Sequence, residues 1–230
     1  MDAKEAKIIL DKVVGQVFGY ENPFTLDQFV QKYAFDIRLP QAVTDSTTGE
    51  ETWTQTVNPT KFISMENAYK REDWDNRPKK PINSMQDILD AWNEINYTAT
   101  SKQLDSINIA QSDSVMKGEN VFRSNDCGNS KNLLFCDGIY KSEFIAAGQR
   151  AITSNFCIRI EDSSEVSNSF SISWSKKIVN GLFLHNCYDM YECMFCSHIE
   201  GKKFCIANMQ FEEEEYMKIK DMVIRWALTE

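Results

Sequence analysis

The chain has two histidines, no long apolar run and no cysteine before residue 127. With only His185 and His198 in 230 residues, most of the molecule lacks the commonest general base. No stretch approaches the ~18 apolar residues that a membrane-spanning helix requires. The opening MDAKEAKIILDKVV is too charged for a secretion signal, so a cytoplasmic protein is expected. A phosphate loop, a dinucleotide fingerprint and a GxSxG elbow are all missing. Basic side chains number 25 against 34 acidic ones, and the isoelectric point is near 4.9. That balance argues against nucleic acid or an anionic membrane as partner, since both need clustered Lys and Arg.

What remains is ordinary globular material: 42% hydrophobic, 26% charged, mean hydropathy −0.44. The seven cysteines (Cys127, Cys136, Cys157, Cys187, Cys193, Cys196, Cys205) are odd in number and confined to the second half. Without a secretion signal they read as reduced thiols.

An internal period organises that second half. Stepping by twelve from Ile109 gives Val121, Leu133, Ile145 and Cys157; after one inserted residue near Ser163–Ser164 the series resumes at Phe170, Leu182, Met194 and Ile206. Ser, Gly and Asn recur at fixed offsets, as at Ser106, Gly118, Ser130, Ser142 and Ser154. Fixed register over nine units indicates a solenoid, in which equivalent residues stack. A twelve-residue coil encloses little volume for Phe, Leu and Met, so coils of about 24 residues are expected. The expected fold is mainly β: a right-handed parallel β-helix over about residues 106–209, with a small, mainly helical N-terminal region (1–105) and a C-terminal capping helix (210–230).

In the N-terminal region, Ile8, Ile9, Val13, Val17 and Phe18 mark an amphipathic helix from about residue 3 to 19. LDQFVQKYAF is a second candidate helix, residues 41–60 a strand or hairpin, and 71–81 a charged loop. Ser84 with Asp87 forms a capping box that opens the helix MQDILDAWNEI. This region is expected to cover the first coil. Trp53, Trp74, Trp92 and Trp226 read mostly as core, while Trp174 is an interface candidate on the outer wall.

For chemistry, the densest cluster is His185, Cys187, Cys193, Cys196, His198 and Cys205. Cys193 and Cys196 have zinc-knuckle spacing, and thiolate and imidazole suit tetrahedral zinc. The periodicity favours a plainer reading, because Cys193 and Cys205 share one column and Cys behaves as a small hydrophobe when buried. Glu161 and Asp162 adjoin the inserted residue, where a bulge could aim two carboxylates at a ligand. Residues 106–209 hold 10 basic and 11 acidic side chains, so the wall is too neutral to mimic DNA.

GENVFRSNDCGNSKNLLFCDGIYKSEF, CYDMYECMFCSHIEGKKFC and the closing GKKFCIANMQFEEEEY resemble Cys-rich, ~12-residue-repeat proteins of candidate-phyla bacteria such as Saccharibacteria. The resemblance covers roughly residues 106–225. It implies a β-helix and transfers no catalytic residue. The functional expectation is a non-catalytic scaffold or protein-interaction module, with a protein partner or self-association and no cofactor. A carbohydrate-active or carbohydrate-binding β-helix is the alternative, and a zinc module on the Cys/His cluster the third.

Overall fold

The interior column that begins at Ile109 never slips. A computed structural model describes residues 1–229 other than Val57, Pro59, Thr60, Asp73, Asp75 and Asn76. In its solenoid, strands pair in parallel with residues twelve positions on: Lys131 with Glu119 and Glu143, Cys157 with Ser169, Phe170 with Leu182. One turn is therefore twelve residues rather than about 24, and the count runs through Ser163 and Ser164 without an insertion. Two adjacent columns are apolar, and the apparent slip is a step from one to the other. Ile109, Val121, Leu133, Ile145 and Cys157 continue inward as Ser169, Gly181, Cys193 and Cys205. Phe170, Leu182, Met194 and Ile206 belong to the next column, which points outward and begins Ala110, Phe122, Leu134.

Within each turn the chain keeps a beat of three. Every third residue from Asn108 to Ala207 has a left-handed backbone, with φ between +43° (Asp162) and +73° (Gly138). From Ser112 to Cys196, every residue directly following one of these is buried. Each triplet thus sends two side chains out and one in, and four inward residues fill a turn. The volume objection to a twelve-residue coil disappears because Phe170, Leu182 and Met194 stand outside; Ser169, Gly181 and Cys193 occupy the interior. Large and small inward residues compensate one another. A Cβ added to Gly181 would stand 2.6 Å from Ile178 Cγ2 and 2.8 Å from Leu184 Cδ1.

Left-handed geometry costs roughly 1–2 kcal/mol at a residue with a Cβ, and ladders between turns offset it. Inward serines donate to the carbonyl two residues back and accept from an N–H twelve residues on. Ser142 Oγ donates to Tyr140 O (2.8 Å) and receives Ser154 N (3.1 Å). Outward residues also stack: Asn108, Asn120 and Asn132 link by side-chain amides at 2.8 and 2.9 Å, and Phe144 lies on Phe156 at 4.5 Å.

Helices cover one wall. Helix α1 (Ala3–Phe18) starts at an Asp2/Glu5 capping box and ends at Gly19 with φ +73°. It buries Leu10, Val13, Val14 and Val17 in one cluster with Leu134, Ala146, Ile158 and Phe170. At roughly 1.5–3 kcal/mol per fully buried large side chain, this seam is a main source of stability. Helix α2 (Leu26–Tyr33) joins the same layer, and Arg159 of the wall holds Asp36 just beyond it at 2.7 Å. The first coil is met instead by a small mixed unit. Strands β1 (Gln41–Thr44) and β2 (Glu51–Thr54) form the antiparallel hairpin, while β3 (Lys61–Ser64) and β4 (Tyr97–Thr100) pair in parallel. Between the latter two strands lie helices α3 (Met65–Lys70) and α4 (Met85–Asn93). Gln55 N donates to Asp113 Oδ2 (3.0 Å), seating this unit on the first turn.

At the far end, residues 209–210 fold back antiparallel on Lys203–Ile206 and close the strand edge. Helix α5 (Glu213–Thr229) then returns along the wall, where Lys220 pairs with Glu192 at 2.5 Å and Tyr33 Oη donates to Ala227 O at 2.5 Å. It covers the last turns from the side. Among the described residues, no helix is long and apolar enough to cross a membrane.

Candidate functional site

The beat of three sorts the candidate residues into two groups that never meet. Cys187, Cys193, Cys196 and Cys205 occupy inward positions and are buried; His185 and His198 occupy outward positions and are exposed. The wall stands between thiols and imidazoles, so the six residues do not form one ligand set. Among the described residues, no group of three or more His, Cys, Asp or Glu is arranged to hold a metal ion. His185 Nδ1 lies 3.0 Å from Ser173 Oγ, and its ring is 5.6 Å from that of His198.

All seven cysteines are inward and free, and they take the part the serines play. Cys136 Sγ donates to Leu134 O and Cys157 Sγ to Asn155 O, each at 3.2 Å, as the inward serines do. Burial pushes the Cys136, Cys157 and Cys193 thiols up to about 12, so they stay protonated at neutral pH.

Glu161 and Asp162 sit on a regular stretch of wall with no bulge, one turn beyond Gln149 and Arg150. Arg150 binds Asp162 through Nε and Nη2 at 2.6 and 2.7 Å and reaches Glu161 at 2.7 Å, where Gln149 Nε2 also donates. These carboxylates are held by their neighbours. The cleft beside them, lined by Asp36, Gln149, Arg159 and Ser173, encloses about 90 Å³, well below the ~300 Å³ of an ordinary ligand pocket. One turn before Gln149, burial raises the Asp137 carboxyl above its ordinary range, with Arg38 and Arg150 opposing the shift. A wider cleft of about 350 Å³ lies near the first turn, between Met65 and the outward Leu104, Met116 and Tyr140.

Trp174 is 56% exposed on the outer wall. The other tryptophans depart from a core assignment: Trp74, Trp92 and Trp226 are exposed, and Trp53 is half-buried. Trp92 belongs to the largest departure. The capping box at Ser84 and Asp87 opens α4 as the sequence indicates. Yet Met85, Ile88, Leu89 and Trp92, spaced to make one apolar stripe, are 67, 45, 45 and 54% exposed, and no residue of α4 is buried. The half-buried positions, Asp87 and Ala91, lie on the opposite side. This helix turns its apolar face to water. Sequence reasoning located the helix and missed its orientation, because an i, i+3, i+4, i+7 stripe normally marks the side facing the core.

Compared with protein-family models and with curated proteins, the chain matches none.

Proposed function

We propose that the protein is a non-catalytic β-solenoid scaffold whose interaction surface is the apolar face of α4. The observation that carries this reading is the exposure of Met85, Ile88, Leu89 and Trp92 along one side of a helix with no buried residue. A helix this short is marginal by itself and gains most of its stability by burying an apolar face. Contiguous exposed apolar surface of this kind marks protein contact sites on otherwise polar molecules. The solenoid supplies a rigid support, and its outward Asn, Phe and Arg–Asp ladders are already satisfied between turns. A cytoplasmic setting fits the seven free, buried thiols. The carbohydrate reading has less support, because Glu161 and Asp162 are engaged by Arg150 and Gln149.

Photocrosslinking tests this in the native host. A benzophenone amino acid placed at position 92 is expected to give discrete protein adducts, whereas the same group at Lys177 on the exposed wall gives none. Adducts from both positions alike, or from neither, would remove α4 as the interaction surface.

A further inference from the structure

We infer that the cleft between Met65 and the first turns of the solenoid binds a small aromatic cation, a single ring carrying an ammonium group. The inference is independent of α4. Along one outward column the strand partners Leu104, Met116, Gly128 and Tyr140 stack turn upon turn. Leu104 and Met116 are 50 and 52% exposed, and Tyr140 38%; beyond Ile152 the same column turns polar, at Ser164 and Lys176. The glycine makes the hollow. A Cβ there would stand 2.8 Å from Tyr140 Cε1, so the tyrosine ring lies over the turn where a side chain would otherwise stand. Met65, at the start of α3, forms the opposite side, and its Sδ accepts Gln103 N at 3.4 Å. The cleft holds about 350 Å³, at the low end of the ~300–1,000 Å³ of ordinary ligand pockets, so it suits one ring rather than several.

The polar groups of the cleft decide the sign of the ligand. Lys102 lines it but is engaged: its Nζ donates to the fully buried Asp113 carboxylate (3.1 Å) and to Ala99 O (3.3 Å). Asp126 lines it too, accepts the Tyr140 hydroxyl at Oδ1 (2.6 Å), and forms no ion pair among the described residues. The residues outside those described include no Lys or Arg. Lys117 and Lys141 follow Met116 and Tyr140 in the chain but do not line the cleft. Burial, and next the bond to Asp126, push the Tyr140 hydroxyl up to about 12, so it remains a donor to this carboxylate. One unbalanced negative charge thus sits beside a tyrosine ring and two thioethers. A cation gains from the carboxylate and from the ring, and its own aromatic part packs on the Met65 and Met116 sulfurs. A neutral molecule of the same shape gains the apolar contacts alone, and an anion is repelled by Asp126.

NMR titration of the full chain, labelled at the methionine methyls, tests this with three probes of one size: benzylammonium, benzyl alcohol and benzoate at pH 7 and constant ionic strength. Met65→Leu and Met116→Leu assign the two signals, and circular dichroism of each variant checks that the solenoid is intact. Benzylammonium is expected to shift both signals with a dissociation constant on the order of millimolar, as a ligand of so few atoms allows. It should bind about tenfold more tightly than benzyl alcohol, with benzoate weakest. Asp126→Asn is expected to bring benzylammonium down to the level of the alcohol and to leave the alcohol unchanged. Met116→Lys, which puts a base into the cleft, is expected to abolish binding of the ammonium. Equal affinity for benzylammonium and benzyl alcohol, or an ammonium preference that survives Asp126→Asn, would overturn the proposal. Met65 and Met116 signals that no probe moves would overturn it equally.

Discussion

Ser169 lies directly above Cys157 inside the solenoid, its parallel partner twelve residues on. A hydroxyl above a thiol in one column shows what the inward positions ask for: a small side chain that donates to the carbonyl two residues back. Ser169 donates to Ser167 O at 2.7 Å and Cys157 to Asn155 O at 3.2 Å. Serine and cysteine are therefore nearly interchangeable here. Cys157→Ser is expected to change stability by less than about 1 kcal/mol. Ser142→Ala, which strips the Ser154 N–H of its buried acceptor, is expected to cost about 1–3 kcal/mol. Urea midpoints of the two variants check this.

The same burial makes the thiols inert. With Cys136, Cys157 and Cys193 pushed up to about 12 and all seven cysteines enclosed, a thiol reagent at pH 8 should label the native protein only as fast as it unfolds. In denaturant, all seven thiols should react at once. Rapid labelling of Cys187 or Cys196 in the native state would mean that the last turns open independently.

Two glycines with different surroundings should respond differently to the same change. Gly181→Ala forces a methyl against Ile178 and Leu184 and is expected to cost about 1–3 kcal/mol, mainly from overpacking. Gly201 has φ +65° but nothing within 4 Å of an added Cβ, so Gly201→Ala carries backbone strain alone, about 1 kcal/mol. Thermal midpoints of both variants separate the two costs.

Acid should loosen the hairpin unit. Burial disfavours the Asp45 charge, but bonds from Thr47, Ser64 and Asn67 outweigh it and hold the carboxyl well below the usual carboxylate range. Because the folded-state value is depressed, the stabilisation is fully present above the unfolded value near 4. It is lost as pH falls toward the folded one. Asp45→Asn should lower stability at pH 7 and remove that part of the dependence between about pH 4 and 2, read by denaturant titration at each pH.

Much of the architecture was legible because local signals agree with the fold. The Ser84/Asp87 capping box starts α4, the stripe from Ile8 to Phe18 predicts α1 although Ile8 itself is exposed, and the step of twelve reports the true turn. The register was obscured at residues 157–170 because Cys157 and Phe170 are both apolar while one points in and the other out beneath α1. Hydropathy cannot separate a wall's two sides when helices cover the outside. The plainer reading of the cysteines followed from the period, since Cys193 and Cys196 both face inward and are buried; what the spacing hid is that His185, two residues from the inward Cys187, lies on the opposite side of the backbone. The exposed stripe of α4 was illegible in principle, since a sequence shows that a helix has an apolar face and not what meets it.

Hydrogen–deuterium exchange along the chain tests the central claim most directly, comparing the free protein with its complex with the protein that crosslinks at position 92. Backbone amides of the solenoid, such as those of Leu133 and Ile145, should exchange slowly in both. Those of α4 should exchange quickly in the free protein and become protected once the surface is covered. An α4 protected as strongly as the solenoid in the free protein would mean that its own chain already covers it. An α4 that stays unprotected in the associated state would place the contact elsewhere on the molecule.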